Sequence, residues 1–383
     1  MKRKLTLIAL AAVALVAPVS PAAASDSRHG AEPYDVLADG LVSPLHLAVG
    51  TAKSIHVSQD FAATLSRVTR DGHVDDVYAK GKEGWDVAGV DTRGATAFFL
   101  ESTGAGMGDP AKLEGYLKAI SPGGDVRTIA NFADYERNYN PDSGQQYGLG
   151  PEASDDCLAE ATPPAPDQGP PPRYKGAVDS HPYALAVQGN TAFVADAGMN
   201  AILKVDLRNG HISTLAVLPP RPATITEEAA AMLQAPSCAG SVYAFEPVPT
   251  DVEIGPDGWL YVTSLPGGPE DESLGARGAI FRINPWSGQM KPWADEIVSP
   301  TGLAIANNGD IYVASLFAGE ILKFSCWSGD RSVFLAVNQP ADVEIQGRTL
   351  YATINGLSGA PAGPGAPPPA GPFTGKVIKA DIR

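Results

Sequence analysis

The sequence predicts an all-β fold, and three observations carry that prediction. One opening recurs six times, a proline with apolar residues three and five positions later: 44–49, 182–187, 249–254, 300–305 and 340–345, with 85–90 in the same register and Trp85 in the proline's place. Each opening is followed by a tight turn and a second alternating run, at 55–57, 97–100, 192–195, 260–263, 311–314 and 350–353. A third run then carries a basic residue in one register, namely Arg67, Lys118, Lys204, Arg282, Lys323 and Lys379. It turns at sites such as 70–72, 122–124, 208–210 and 286–288 into a fourth run, as at 211–217 and 332–337. Period-two alternation between Gly, Asn and Asp turns is the pattern of half-buried antiparallel strands. Four short strands per unit and six units predict a six-bladed β-propeller of four-stranded antiparallel blades. Two tandem sandwiches would not share one register across all six units.

The closure of the ring is also readable. The last unit ends after its third strand, at 376–382, while 34–38 precedes the first unit as a spare fourth strand. An N-terminal strand completing the last blade would remove an open sheet edge. The expected organisation is one propeller domain over 34–383, preceded by a tail at 25–33 and a signal peptide at 1–24. Lys2, Arg3 and Lys4 form a basic start, 5–17 is an apolar stretch too short to span a bilayer, and Ala22, Ala23 and Ala24 supply the small residues of a cleavage site. No later apolar run reaches the roughly 18 residues of a span. The expected product is secreted and free of the membrane once cleaved.

Composition agrees with a folded, loop-rich chain. The 383 residues are 44% hydrophobic and 19% charged, with 41 glycines and 34 prolines to make turns. A formal charge of −15 repels phosphate backbones and argues against nucleic-acid binding.

The long segments between runs are placed unevenly. Segments 102–114, 131–180, 219–247, 266–277 and 356–374 all belong to second-to-third-strand loops or interblade connections, which emerge on one face of a propeller. The opposite face has only short turns. Two segments are proline-rich, 161–172 and 360–372, and 224–235 reads as a short helix with Thr224 and Glu227 spaced as a capping box. Cys157 and Cys238 lie in consecutive interblade insertions of the loop face and are the expected disulfide; Cys326, toward the other face, is left over.

Some of these residues resemble known repeats. Residues 194–202, with Asp196, Gly198, Asn200 and Ile202, resemble the Asp-x-Gly-x-Asn-x-Ile core of NHL-type propeller repeats. Residues 279–288 are similar to the third strand and turn of lactonase-like and TolB-like propellers. With the export signal, the proline openings and the final Gly-x-Val-x-Lys-x-Asp at 375–381, the chain resembles the ScyD/ScyE family of secreted propellers. That resemblance implies the fold and the export and brings no catalytic motif with it.

Sugar lactonases of similar blade count hold a metal with a Glu, an Asn and an Asp at the channel mouth. Glu83-Gly84-Trp85 resembles their Glu-Gly-Pro opening, but the Asn expected after an opening proline is missing: Leu45, Tyr183, Thr250, Thr301 and Ala341 stand there, and Asp86 follows Trp85. A hard cation wants several converging oxygens, and one matching Glu does not supply them. No metal ligands and no cofactor are therefore assigned. The expected ligand-binding residues ring the channel mouth: His46, Glu83, Asp86, Glu101, His181, Asp196, Asp251 and Asp342. Asp251-Val252-Glu253-Ile254 recurs as Asp342-Val343-Glu344-Ile345. Those carboxylates admit two readings, ion pairs with the third-strand basic ladder or a cluster for acid–base work or cation binding. Asp196 reads as a turn cap, with Glu101 and Gln59 in the equivalent place of neighbouring units.

Gly-x-Ser-x-Gly, His-Glu-x-x-His, phosphate-loop and Cys-x-x-Cys motifs are all missing from the sequence. The expectation is a monomeric extracellular binding or scaffold module. Its loop face would take a small molecule, a glycan or a protein, with cationic or neutral polyhydroxylated ligands favoured by the acidic rim. The alternative is a lactonase-, lyase- or quinoprotein-like propeller enzyme with its site at the channel mouth.

Overall fold

A computed structural model describes residues 33–50, 54–165, 169–269, 272–361 and 369–382. The expected signal peptide and nearly all of the tail lie outside the described residues. The protein is all-β, with seven four-stranded antiparallel sheets and three short α-helices among the described residues. Five sheets are sequential meanders whose first strands are Pro44–Val49, Asp86–Arg93, Pro182–Gln188, Pro249–Ile254 and Pro300–Ile305. The sixth consists of Asp342–Gln346, Thr349–Ile354 and Gly375–Asp381, completed by Asp35–Leu41 from the start of the described chain. In that pairing Val36 lies opposite Ile378 and Asp35 opposite Lys379.

The packing follows from strand position. Second strands such as Thr96–Thr103 and Leu260–Ser264 are buried along nearly their whole length, because both of their faces meet a neighbouring sheet. Fourth strands such as Arg331–Ala336 are mostly exposed. Apolar side chains collect between consecutive sheets: Phe98, Leu100 and Leu117 pack on Val194 and Leu203, Val262 and Phe281 on Ile202, and Leu47 and Val57 on Val377. The first strands touch one another in turn, and the strand at 342–346 touches the one at 44–49, closing a circuit around an axis.

The seventh sheet departs from the sequence expectation. Arg173–Lys175, Gln146–Leu149, Val242–Phe245 and Arg221–Thr224 pair in that order, so two insertions that read as loops, 131–180 and 219–247, build a sheet with each other. It has its own apolar filling of Leu149, Cys157, Ile225, Ala230, Tyr243 and Phe245. Cys157 and Cys238 are joined by a disulfide beneath it, with Cα atoms 4.6 Å apart, and Cys326 is a free, exposed thiol. Inside the same insertions, helices form at Phe132–Tyr139 and Asp155–Ala161. The helix expected at 224–235 is shorter, Glu227–Met232, and Thr226 caps it by accepting the Ala229 N–H. Thr224 belongs to the preceding strand, which withdraws it from the capping box.

The basic ladder does not pair with the carboxylates at 251, 253, 342 and 344. Lys118, Lys204, Arg282, Lys323 and Lys379 each lie across from an aromatic ring of the second strand, Phe99, Phe193, Tyr261, Tyr312 and Tyr351, and Arg67 lies across from His56. Their ion pairs go to peripheral carboxylates such as Asp75, Asp257 and Asp310. Among the described residues, no helix is long and apolar enough to cross a membrane.

Candidate active site

The first strands put their polar side chains on the axis. In a strand, residues two apart share a face, so Asp251 with Glu253 and Asp342 with Glu344 line a narrow axial cavity of about 10 Å³ together with His46. That volume holds about one water. The upper pair acts as latches between sheets. Asp342 accepts the Leu47 N–H at 2.8 Å and Asp251 accepts the Leu303 N–H at 2.6 Å, each reaching the first strand of the next sheet. Asp91, not singled out in the sequence, does the same lower on its strand by accepting the Val187 N–H at 2.6 Å. Burial, with Asp342 adding its charge, pushes Asp251 up to about 8; burial pushes Asp342 and Asp91 up to about 6. Burial and the charges of neighbouring carboxylates, Glu344 first for Glu253 and Asp342 first for Glu344, raise both well above the carboxylate range.

Two histidines stand above this column. His46 and His181 both meet the ring of Tyr183 edge-on, with centroids 4.5 and 5.4 Å away. Each imidazole has a carboxylate of its own: Asp60 Oδ2 lies 3.5 Å from His46 Nδ1, and Asp86 Oδ2 lies 3.7 Å from His181 Nε2. Their environments push them apart. Burial works to lower His46, yet Asp60, Asp342 and Asp251 together raise it. Burial, aided by the His46 charge, lowers His181 to about 4. Burial and the neighbouring Asp60 raise Asp86 to about 7. The site thus sets an imidazole raised above its ordinary value beside one lowered to about 4 and a carboxyl group raised to about 7, an arrangement suited to proton transfer. Asp86 keeps 27% of its side chain exposed against 5% for His46, so a substrate meets Asp86 first.

The expected site residues divide accordingly. The structure gathers His46, Asp86, His181, Asp251 and Asp342. Asp196 is buried at the edge of the group. It accepts N–H bonds from His181, Gly198 and Met199, so it caps its turn and fixes the His181 backbone. Burial raises it to about 7. Glu83 lies exposed in the connection before Trp85 and joins none of these contacts.

Glu101 is a correction. It is one residue off the register of Asp196, and a one-residue slip reverses the face of a strand. Its carboxylate is fully buried toward the outside of its sheet, bonded by Lys80 at 2.9 Å, Lys118 at 2.7 Å and the Tyr78 hydroxyl. Burial works to raise it, but those three donors hold it below the usual value. Asp60 and Tyr183 join the site without a signal in the sequence. Asp60 follows a strand in a short turn with no motif around it, and Tyr183 stands in an opening like any other.

Among the described residues, no three His, Cys, Asp or Glu side chains converge as a metal would need. The donor set also does not suit pyrroloquinoline quinone. That cofactor is a tricarboxylate, and here it would face Asp86, Asp251 and Asp342 with no ladder lysine or arginine turned toward it.

No protein-family model matches the chain, so the ScyD/ScyE resemblance gains no support from one. No curated protein matches it in sequence. Solved structures do match. The PQQ-bound aldose sugar dehydrogenase from Streptomyces coelicolor has a TM-score of 0.50 at 14% identity, covering 90% of this chain and 96% of that one. A gluconolactonase from Xanthomonas campestris has 0.50 at 10%, covering 89% and 88%. A Thermus thermophilus oxidoreductase described as a glucose dehydrogenase has 0.51 at 13%, covering 90% and 98%. All three are described as enzymes, which corrects the expectation of a non-catalytic binding scaffold and favours the enzyme alternative. At such identities the likeness extends to architecture alone, that of a β-propeller.

Proposed function

We propose that this protein is a propeller enzyme that performs acid–base chemistry on a small hydroxyl-rich substrate at the channel mouth, in the manner of a lactonase or lyase. The observation that carries the reading is the pair of imidazoles on Tyr183, each with its own carboxylate and of opposite protonation tendency. In lactone hydrolysis Asp86 takes the proton of the attacking water, and His46 donates one to the ring oxygen as the C–O bond breaks. His181 orients Asp86. The surrounding carboxylates favour neutral or cationic substrates.

The same reading takes six of the seven sheets as blades of one ring and the seventh, which covers the disulfide, as an accessory on the loop face. It also takes the chain as a secreted monomer with a cleaved leader, in keeping with the ScyD/ScyE resemblance. The disulfide and the axial circuit support these parts.

The test is a panel of neutral sugar lactones and of substrates that undergo β-elimination, assayed with wild type and with Asp86→Asn. The expected result is turnover whose kcat/KM rises through about pH 7 as Asp86 loses its proton and falls again at higher pH as His46 loses its own, and a loss of roughly 10²–10⁴-fold in the variant. An unchanged rate in Asp86→Asn would overturn the assignment.

A further inference from the structure

A second group of carboxylates lies away from the axis, under the seventh sheet. The segment 136–142, from the end of the Phe132–Tyr139 helix into the following turn, clasps the segment 176–179. Glu136 Oε1 accepts the Asp179 N–H at 3.2 Å, and Asn140 Nδ2 donates to the Gly176 carbonyl at 3.2 Å. Gly176 packs so closely on Asp142 that a Cβ there would collide with Asp142 Oδ1.

Around this clasp the hydrogen bonds do not balance. Asp179 and Asp196 have both carboxylate oxygens engaged by N–H or O–H donors. Glu246 holds the Tyr174 hydroxyl and the Asn200 amide. Three oxygens are left buried without a donor: Glu136 Oε2, Asn140 Oδ1 and Asp142 Oδ1. Glu136 and Asp142 are 0% and 1% exposed. Every orphan here is an acceptor, and none of these acids lies in an ion pair among the described residues. The Asp142 and Asp196 charges are close enough to add to the effect of burial on Glu136. An unpaired buried carboxylate oxygen is costly. What acceptors without donors ask for is a cation, and oxygen-only ligation suits a hard one.

We propose that the buried junction between residues 136–142 and 176–179 binds a calcium-class divalent cation through Glu136, Asn140 and Asp142. The ligands are two carboxylates and an amide, with the Gly176 carbonyl beside them. Such an ion would join the insertion before the third sheet to that sheet's leading strand, and so brace His181 two residues beyond Asp179.

The test uses the intact protein with calcium, magnesium or terbium as the probe. Wild type should carry about one calcium per chain after dialysis. Its melting temperature should fall in a chelator and recover by about 4 °C at a hundredfold excess of calcium over Kd. The Tyr147 hydroxyl lies 3.1 Å from Asp142 Oδ2, so tyrosine excitation should sensitise terbium emission that calcium displaces. Glu136→Gln and Asp142→Asn should abolish both responses, whereas Asp251→Asn at the axis should leave them intact. A metal-free wild type whose melting temperature ignores calcium would overturn the proposal, and so would a terbium signal surviving in both junction variants. Metal content of the wild type decides the matter even if a variant fails to fold.

Discussion

Replacing Glu101 by Ala separates the buried frame from the proposed site. The carboxylate is fully enclosed and is shared by Lys80 and Lys118, whose side chains keep only 20% and 14% of their exposure. Lys80 is also held over the Trp85 ring, 3.4 Å from its centroid. Removing the anion leaves two like charges side by side, and breaking a buried pair this way costs about 3–5 kcal/mol. Both lysines can turn outward, so the lower end applies, roughly 3 kcal/mol. With an unfolding entropy near 2.1 cal/mol/K per residue over a domain of about 350 residues, that corresponds to a fall of about 4 °C in Tm. Glu101→Gln should lose less, because the amide oxygen still accepts from one lysine. The assay is thermal unfolding by circular dichroism in parallel with kcat/KM on whichever substrate the panel yields. A drop in activity with unchanged Tm would refute the reasoning and return Glu101 to the channel mouth.

Two further outcomes follow from the same geometry. Asp86, Asp196 and Asp251 all have folded-state pKa values raised by burial, to about 7, 7 and 8. The folded chain therefore holds more protons than the unfolded one above about pH 4, and the stability these groups contribute is lost as pH rises through those values. In chelator, Tm should decline from pH 5 to pH 9, and Asp251→Asn should flatten the slope; a Tm that climbs over this range would contradict the assignment. Reduction should act locally. The bridge closes a loop of 81 residues, worth about 4.5 kcal/mol in chain entropy, so dithiothreitol should expose the amides of 146–149 and 242–245 to hydrogen exchange while the axial strands stay protected. Alkylation without reduction should label Cys326 alone, and labelling at Cys157 or Cys238 would dismiss the bridge.

The repeats were legible because each strand face is buried against a neighbouring sheet, and burial writes a two-residue period into the chain. The opening prolines, the ladder and the pairing of 34–38 with the last strand could all be read directly. The seventh sheet could not. Its strands are three or four residues long, and two of them are separated from their partners by whole stretches of intervening sheet, so no local period marks them. The site was half legible for a related reason. Asp251 and Asp342 stood out through repetition, whereas Asp60 and Tyr183 owe their roles to closeness across sheets. Glu101 was misplaced by a single residue of register: Phe99 lies across from Lys118 as Phe193 does from Lys204, which makes Ser102 and not Glu101 the counterpart of Asp196.

The strand at 35–41, paired with 375–381, has a kinetic consequence. During synthesis five meanders can form from neighbouring segments, but the sixth sheet waits for residues more than 330 positions apart to meet. Closing so large a loop is entropically slow. Until then the strand at 375–381 has one edge unpaired, and a second chain could supply the missing strand in place of the chain's own. A circular permutant that fuses 381 directly to 35 and opens the chain at an exposed turn such as 208–210 would turn this long-range pairing into a hairpin. Such a chain should refold faster and exchange strands less at high concentration, with its axial residues undisturbed.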